Sequence, residues 1–171
     1  MTEKHFYEQL GWPDHGVIGY VADLLTEFTD VDRVYLFQDT QGIPKTLVSE
    51  MLLDAESGAS GVSERDAHRH IGDFTLFMMG LFPEQLTRLK VRRFLASGDF
   101  LLDYCKVGKR SYRIVSELPG GCDDAGRAEA SLFRKLSEQF ELCVAGLGSI
   151  REDLRRRPDV PFDRFRERFL A

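Results

Sequence analysis

The sequence predicts an all-α fold, a single-domain helical bundle of five to seven helices. Apolar residues recur at helical spacing in every long segment, which is the main indicator of amphipathic helices. The one strand-like stretch, Arg33 to Phe37, has no strand to pair with, so we interpret it as helix or extended linker. The 171 residues suffice for one domain with a full core.

The first two helices are predicted from apolar stripes. Asp14 is a good N-cap for the first helix, and Pro44 suits the first position of the second. Gly58 and Gly61 interrupt the chain after the second helix. The stripes consist of Val17, Val21, Leu24, Leu25 and Phe28, and of Leu47, Val48, Met51, Leu52 and Ala55.

The third helix begins at a capping-box-like pair, Ser63 and Asp66. It runs to about Leu81, and Pro83 prevents easy continuation. A further helix is predicted over Phe100–Leu118, where a Pro-Gly-Gly loop follows. Each of these helices carries a glycine within its apolar part, so we expect the two to pack closely against each other.

The last third of the chain has one long helical pattern, Leu132–Leu154. Gly146 and Gly148 are expected to bend or split it, and Pro158 ends it. A short amphipathic helix is predicted at about 160–170. It carries an apolar stripe that we expect to contribute to a homodimer interface, since exposed stripes often mark contacts. The stripe consists of Phe162, Phe165 and Phe169.

Composition and charge narrow the class of protein. The net charge is −5, whereas nucleic-acid binders usually have a basic surface, so we do not expect a nucleic-acid partner. The longest apolar run, Phe74–Phe82, is too short to insert into a membrane. Three cysteines without a paired motif, and no signal-peptide pattern, indicate a cytoplasmic protein.

The first candidate site consists of Asp66, His70 and Asp73, which lie on one helical face at i, i+4 and i+7. A carboxylate beside a histidine can raise the histidine pKa, fix its tautomer or share a metal with it. We expect His70 to be partly buried and hydrogen-bonded to one of these carboxylates, with a pKa above the ordinary value of about 6.5. The alternative is a half-exposed histidine beside an acid that serves the helix N-terminus.

The second candidate binding surface lies on the helix Phe100–Leu118. Tyr104 and Tyr112 share a face with Gly108 between them, which fits either a pocket lined by two phenolic hydroxyls or a tight helix crossing. Lys109 belongs to a basic stripe, which fits either an anion site or a solvated surface.

No metal site is predicted, because the chain has no H-E-x-x-H, E-x-x-H or cysteine cluster. A metal near His70 would need further ligands, such as Asp23, Glu50 or Asp103. We therefore favour a cytoplasmic binding or interaction protein with a protein or small-ligand partner. The alternative is an enzyme that uses His70 with Asp66 or Asp73. No cofactor is indicated.

Two resemblances add to this interpretation. Arg65 and His70 have the spacing R-x4-H, which resembles the catalytic motif of the all-helical HEPN-type ribonucleases. That resemblance implies that His70 is an acid or base and that Arg65 holds phosphate. In that family, however, the motif lies near a later helix. This departure weakens the functional implication.

The segments HRHIGDFTLFMMGLFPE, DYCKVGKRSYRIVSEL and LFRKLSEQFELCV resemble a bacterial all-helical family to which no activity is assigned. The resemblance covers about residues 66–144. It implies a helical bundle and a bacterial source, and it implies no activity.

Overall fold

The structure of the chain is a computed structural model that describes residues 14–30, 34, 36–38, 41–42, 48–58, 61–86, 100–118, 120 and 123–157, without the side chains of 100–103. The predicted all-α bundle is confirmed. Six helices lie entirely within the described ranges. They are α1 (His15–Glu27), α2 (Val48–Ser57), α3 (Glu64–Leu81), α4 (Phe100–Glu117), α5 (Asp124–Glu138) and α6 (Phe140–Arg156).

The predicted caps of α1 and α3 are confirmed. Asp14 Oδ1 accepts hydrogen bonds from the backbone N–H groups of Gly16 and Val17, at 3.1 and 3.3 Å. Ser63 Oγ accepts from the backbone N–H of Asp66 at 3.1 Å and donates to Asp66 Oδ2 at 2.6 Å. Each cap therefore provides acceptors for amide groups that have no partner within the helix.

Helix α3 forms the centre of the bundle. It packs against α4 along most of its length and also contacts α1, α2 and α6, while α5 packs on α4. From Ala67 to Leu81 nearly every residue of α3 is buried. A helix that is buried on most of its sides needs apolar residues on most of its sides, which explains the long apolar run in its second half.

Two glycines permit the close approach of α3 and α4, as predicted. A Cβ atom at Gly72 would lie 2.6 Å from the ring of Tyr112, and one at Gly108 would lie 2.5 Å from Thr75 Oγ1 and overlap the Phe140 ring. Neither glycine has room for a side chain without displacing its neighbour.

The break in the last helical segment differs from the prediction. The helix is interrupted at Gln139, between α5 and α6, whereas α6 continues through Gly146 and Gly148. The break allows Phe140 to enter the core against Gly108. That tertiary contact is not visible in the local apolar pattern, so the prediction that the glycines split the helix was wrong.

The helix start predicted at Pro44 and the amphipathic helix predicted at about 160–170 lie outside the described ranges. Within the described ranges, no helix has the length and apolarity needed to cross a membrane.

The two glycines Gly108 and Gly148 provide a matched test of the packing. Gly148→Ala should stabilise the protein by up to about 1 kcal/mol, because alanine favours the helix and nothing lies within 4 Å of its Cβ. Gly108→Ala should destabilise it by about 1–3 kcal/mol, because overpacking outweighs that gain. Urea denaturation measures both. Equal effects of the two substitutions would contradict the close packing of Thr75 and Phe140 around Gly108.

Candidate functional site

A buried carboxyl group on α3 is the centre of the candidate site. The side chain of Asp73 is 10% exposed. Its Oδ1 accepts hydrogen bonds from the hydroxyl groups of Tyr20 and Tyr112, each at 2.7 Å. Burial raises the pKa of both tyrosines well above the ordinary value, so both hydroxyls stay protonated and act as donors.

Three helices bring these groups together. Tyr20 comes from α1, Asp73 from α3 and Tyr112 from α4. The rings of Tyr20 and Tyr112 both pack against Phe133 of α5, with centroid distances of 5.4 and 5.7 Å. Because Gly72 has no side chain, the Tyr112 ring lies directly beside α3. The Tyr112 hydroxyl therefore reaches Asp73, the next residue of that helix.

Arg69 completes the polar cluster from one turn earlier on α3. Its Nε donates to the Tyr20 hydroxyl at 3.2 Å and lies 3.9 Å from Asp73 Oδ2. Its guanidinium lies over the rings of Tyr20 and Phe133, at 5.5 and 5.7 Å from their centroids. The positive charge of Arg69 is therefore held by an ion pair and two cation–π contacts.

A cleft of about 230 Å³ opens beside this cluster, between α1 and α3. No hydrogen bond from a described residue reaches Asp73 Oδ2, and this oxygen is not among the fully buried atoms that lack a partner. It therefore keeps some access to the cleft. The lining residues are Tyr20, Asp23, Leu24, Thr26, Glu27, Arg69 and Asp73.

Burial raises the pKa of Asp73 to about 6. The hydrogen bonds from Tyr20 and Tyr112 and the charge of Arg69 act in the opposite direction, while the charge of Glu27 raises the pKa further. The result is a carboxyl group that changes its charge close to neutral pH. Such a group can accept a proton or bind a cation in a pH range where ordinary carboxyl groups are already ionised.

The expectation for His70 was correct for its burial and wrong for its partner. His70 is 7% exposed, and its ring lies among Phe28, Phe37 and Phe74 at centroid distances of 6.1, 5.6 and 6.4 Å. Its Nε2 has no hydrogen-bond partner within the described part of the chain. Burial lowers its pKa to about 4, against the effect of a hydrogen bond with the Val34 backbone.

The reason for this correction is the rotation of α3. At 3.6 residues per turn, His70 and Asp73 differ by about 60° around the helix axis. Asp73 therefore meets the tyrosines of α1 and α4, whereas His70 meets phenylalanines. Asp66 lies at the start of α3, where it interacts with Ser63, and it makes no hydrogen bond with His70.

The other predicted site residues lie apart from this cluster, except for Tyr112. Tyr104 is buried on α4, and Lys109 is half-exposed and pairs with Glu141 of α6 at 2.7 Å. Arg65 forms an ion pair with Glu129 at 3.0 Å and lies over the Phe133 ring, away from the phenylalanines around His70. The structure thus brings Asp73 and Tyr112 together and separates Arg65 from His70.

Sequence reasoning missed Tyr20, Glu27 and Arg69, and it named Asp23 only as a possible metal ligand near His70. The i, i+4 spacing of Arg69 and Asp73 indicates an ion pair on one helix, and that signal was available. Asp23 and Glu27 repeat at the same spacing on α1. Tyr20 gave no signal, because its contact with Asp73 joins residues that are 53 positions apart.

Within the described ranges, no group of three or more histidine, cysteine or acidic side chains converges in a way that could hold a metal ion. Comparisons of the chain with protein-family models, with curated proteins and with solved structures found no match.

The raised pKa of Asp73 makes the stability of the protein depend on pH. Between the ordinary pKa of 3.8 and about 6, the folded chain keeps the Asp73 proton while the unfolded chain releases it. The stabilising contribution of Asp73 to the free energy of unfolding is therefore complete below about pH 4 and is lost as pH rises to about 6. The unfolding free energy of the wild type relative to Asp73→Asn should fall by about 3 kcal/mol over this range, as measured by urea denaturation.

His70→Leu provides the matched control, because its linkage has the opposite sign. The folded pKa of about 4 lies below the ordinary 6.5, so the His70 contribution is complete above pH 6.5 and is lost as pH falls towards 4. The unfolding free energy of the wild type relative to His70→Leu should therefore rise with pH over this range. If both differences in unfolding free energy changed with pH in the same direction, the assigned burial of Asp73 or of His70 would be contradicted.

Proposed function

We propose that this protein binds a small molecule in the cleft beside Asp73. The observation that supports the proposal is a difference in hydrogen bonding between the two carboxyl oxygens of Asp73. Oδ1 is held by two tyrosine hydroxyls, whereas Oδ2 accepts no hydrogen bond from any described residue and keeps access to the cleft. Ligand sites typically combine an apolar wall with a few such convergent polar groups.

A purely structural role explains this arrangement less well. A buried carboxyl group costs free energy unless its oxygens are satisfied, and the nearest cation among the described residues, Arg69 Nε, lies 3.9 Å from Oδ2. That distance exceeds the range of a hydrogen bond. A ligand with a hydrogen-bond donor could donate to Oδ2 of Asp73 and so satisfy this oxygen.

An enzyme is the second candidate function, and the pKa of Asp73 favours it. A carboxyl group that titrates at about pH 6 can accept and return a proton near neutral pH, as a general base must. In this version the base is Asp73 without His70, because the His70 ring has phenylalanine neighbours and no carboxylate partner. Tyr20 and Tyr112 would hold Asp73 in position.

The binding proposal is tested with a library of small polar compounds of every charge type, screened by saturation-transfer NMR. Thr26→Trp fills the cleft from its exposed rim and should abolish binding of the compounds that the wild type binds. Thr29→Trp is the matched control, because Thr29 is an exposed threonine at the same helix end that does not line the cleft. It should leave binding unchanged.

An empty screen, or equal binding by the wild type and Thr26→Trp, would contradict the proposal. The compounds that bind are then incubated with the wild type and with Asp73→Asn and followed by one-dimensional NMR. Conversion by the wild type alone identifies an enzyme, and its absence leaves a binding protein.

The cytoplasmic location and the homodimer remain part of this proposal. The dimer prediction depends on the stripe of Phe162, Phe165 and Phe169, which lies outside the described residues. Light scattering at micromolar concentration should give twice the mass of one 19.5 kDa chain. The mass of a single chain would contradict the dimer.

A further inference from the structure

We infer that the ligand of the Asp73 cleft is a small organic cation with N–H donors, such as a primary ammonium compound, held between Asp73 on α3 and the acidic end of α1. This inference rests on the proposed binding function and adds the chemical class of the ligand.

The charges that line the cleft favour a cation. Three of the lining residues are acidic, Asp23, Glu27 and Asp73, and one is basic, Arg69. With all four groups ionised the lining has a net charge of −2. The positive charge of Arg69 is already engaged with the Tyr20 hydroxyl, with two aromatic rings and with Asp73, so it leaves two carboxylates uncompensated.

The acids on α1 are placed where a helix does not favour them. Glu27 is the last residue of α1, Asp23 lies one turn earlier, and the last turn has no basic residue. Like charges at i, i+4 repel each other, and the C-terminal end of a helix disfavours anions. Neither acid forms an ion pair with a described residue. A bound cation would remove both unfavourable interactions.

The buried carboxyl group fixes the orientation of the ligand. Asp73 is nine-tenths buried and lines the cleft, and its Oδ2 accepts no hydrogen bond from a described residue. An ammonium N–H can donate to Oδ2 while its charge lies near Asp23 and Glu27. The volume of about 230 Å³ lies below the range of roughly 300–1,000 Å³ of most ligand pockets, so the cation must be small.

The test uses three probes of the same chain length, n-butylammonium, n-butanol and butyrate. Each is titrated to tens of millimolar into the full chain at pH 7 and followed by two-dimensional amide NMR. Only n-butylammonium should shift the amides at the end of α1 and around Asp73. Asp73→Asn should weaken its binding by roughly ten- to a hundredfold, because a charge-assisted hydrogen bond is lost.

Asp23→Asn combined with Glu27→Gln tests the acidic end of α1 without touching the core, because both residues are exposed. This double variant should weaken n-butylammonium binding about three- to tenfold. Glu56→Gln, an exposed acid on α2 outside the cleft, should not change it. Unchanged affinity in the double variant would overturn the role of these acids.

The remaining outcomes separate this inference from the proposed function. Shifts of the cleft amides by n-butanol or butyrate, equal to or larger than those by n-butylammonium, overturn the cationic ligand while leaving a small-molecule site. No shift with any of the three probes also overturns the cationic ligand, and the compound screen then decides the proposed function independently.

Discussion

The buried carboxyl group of Asp73 is the constraint on which the arrangement of this bundle depends. An ionised carboxylate in a protein interior costs several kcal/mol unless donors reach it. Its own helix supplies Arg69 at 3.9 Å, which is too far for a hydrogen bond. The donors at hydrogen-bond distance are Tyr20 and Tyr112, so α1 and α4 must both meet α3 at the same level. The polar cluster therefore restricts the relative positions of three helices, which apolar packing alone leaves less defined.

Apolar packing and the polar cluster meet at two neighbouring residues of α3. The Tyr112 ring occupies the space where a side chain at position 72 would lie, and its hydroxyl binds Asp73. A side chain at position 72 would displace the ring and weaken that hydrogen bond. Gly72 thus contributes to the site although it contains no functional group.

Local features of the sequence predicted most of the fold. The apolar stripes, the caps at Asp14 and Ser63 and the apolar run of α3 depend on neighbouring residues, and the structure confirms them. The candidate site depends instead on which helices meet, and local spacing contains little of that information. Asp66, His70 and Asp73 share a face by spacing, yet a rotation of about 60° is enough to place His70 among phenylalanines and Asp73 among tyrosines. The burial of His70 could therefore be predicted, and its partner could not.

The same physical cause, loss of hydration, moves the pKa values of the two buried groups in opposite directions. Burial disfavours the charged form of each group, so it lowers the pKa of His70 and raises that of Asp73. Both groups are then neutral in the folded protein between about pH 4 and 6. Above pH 6 Asp73 ionises while His70 stays neutral. Burial also lowers the pKa of His68, which likewise lies on α3. Ionisation of Asp73 above pH 6 therefore adds a negative charge to the lining of the cleft.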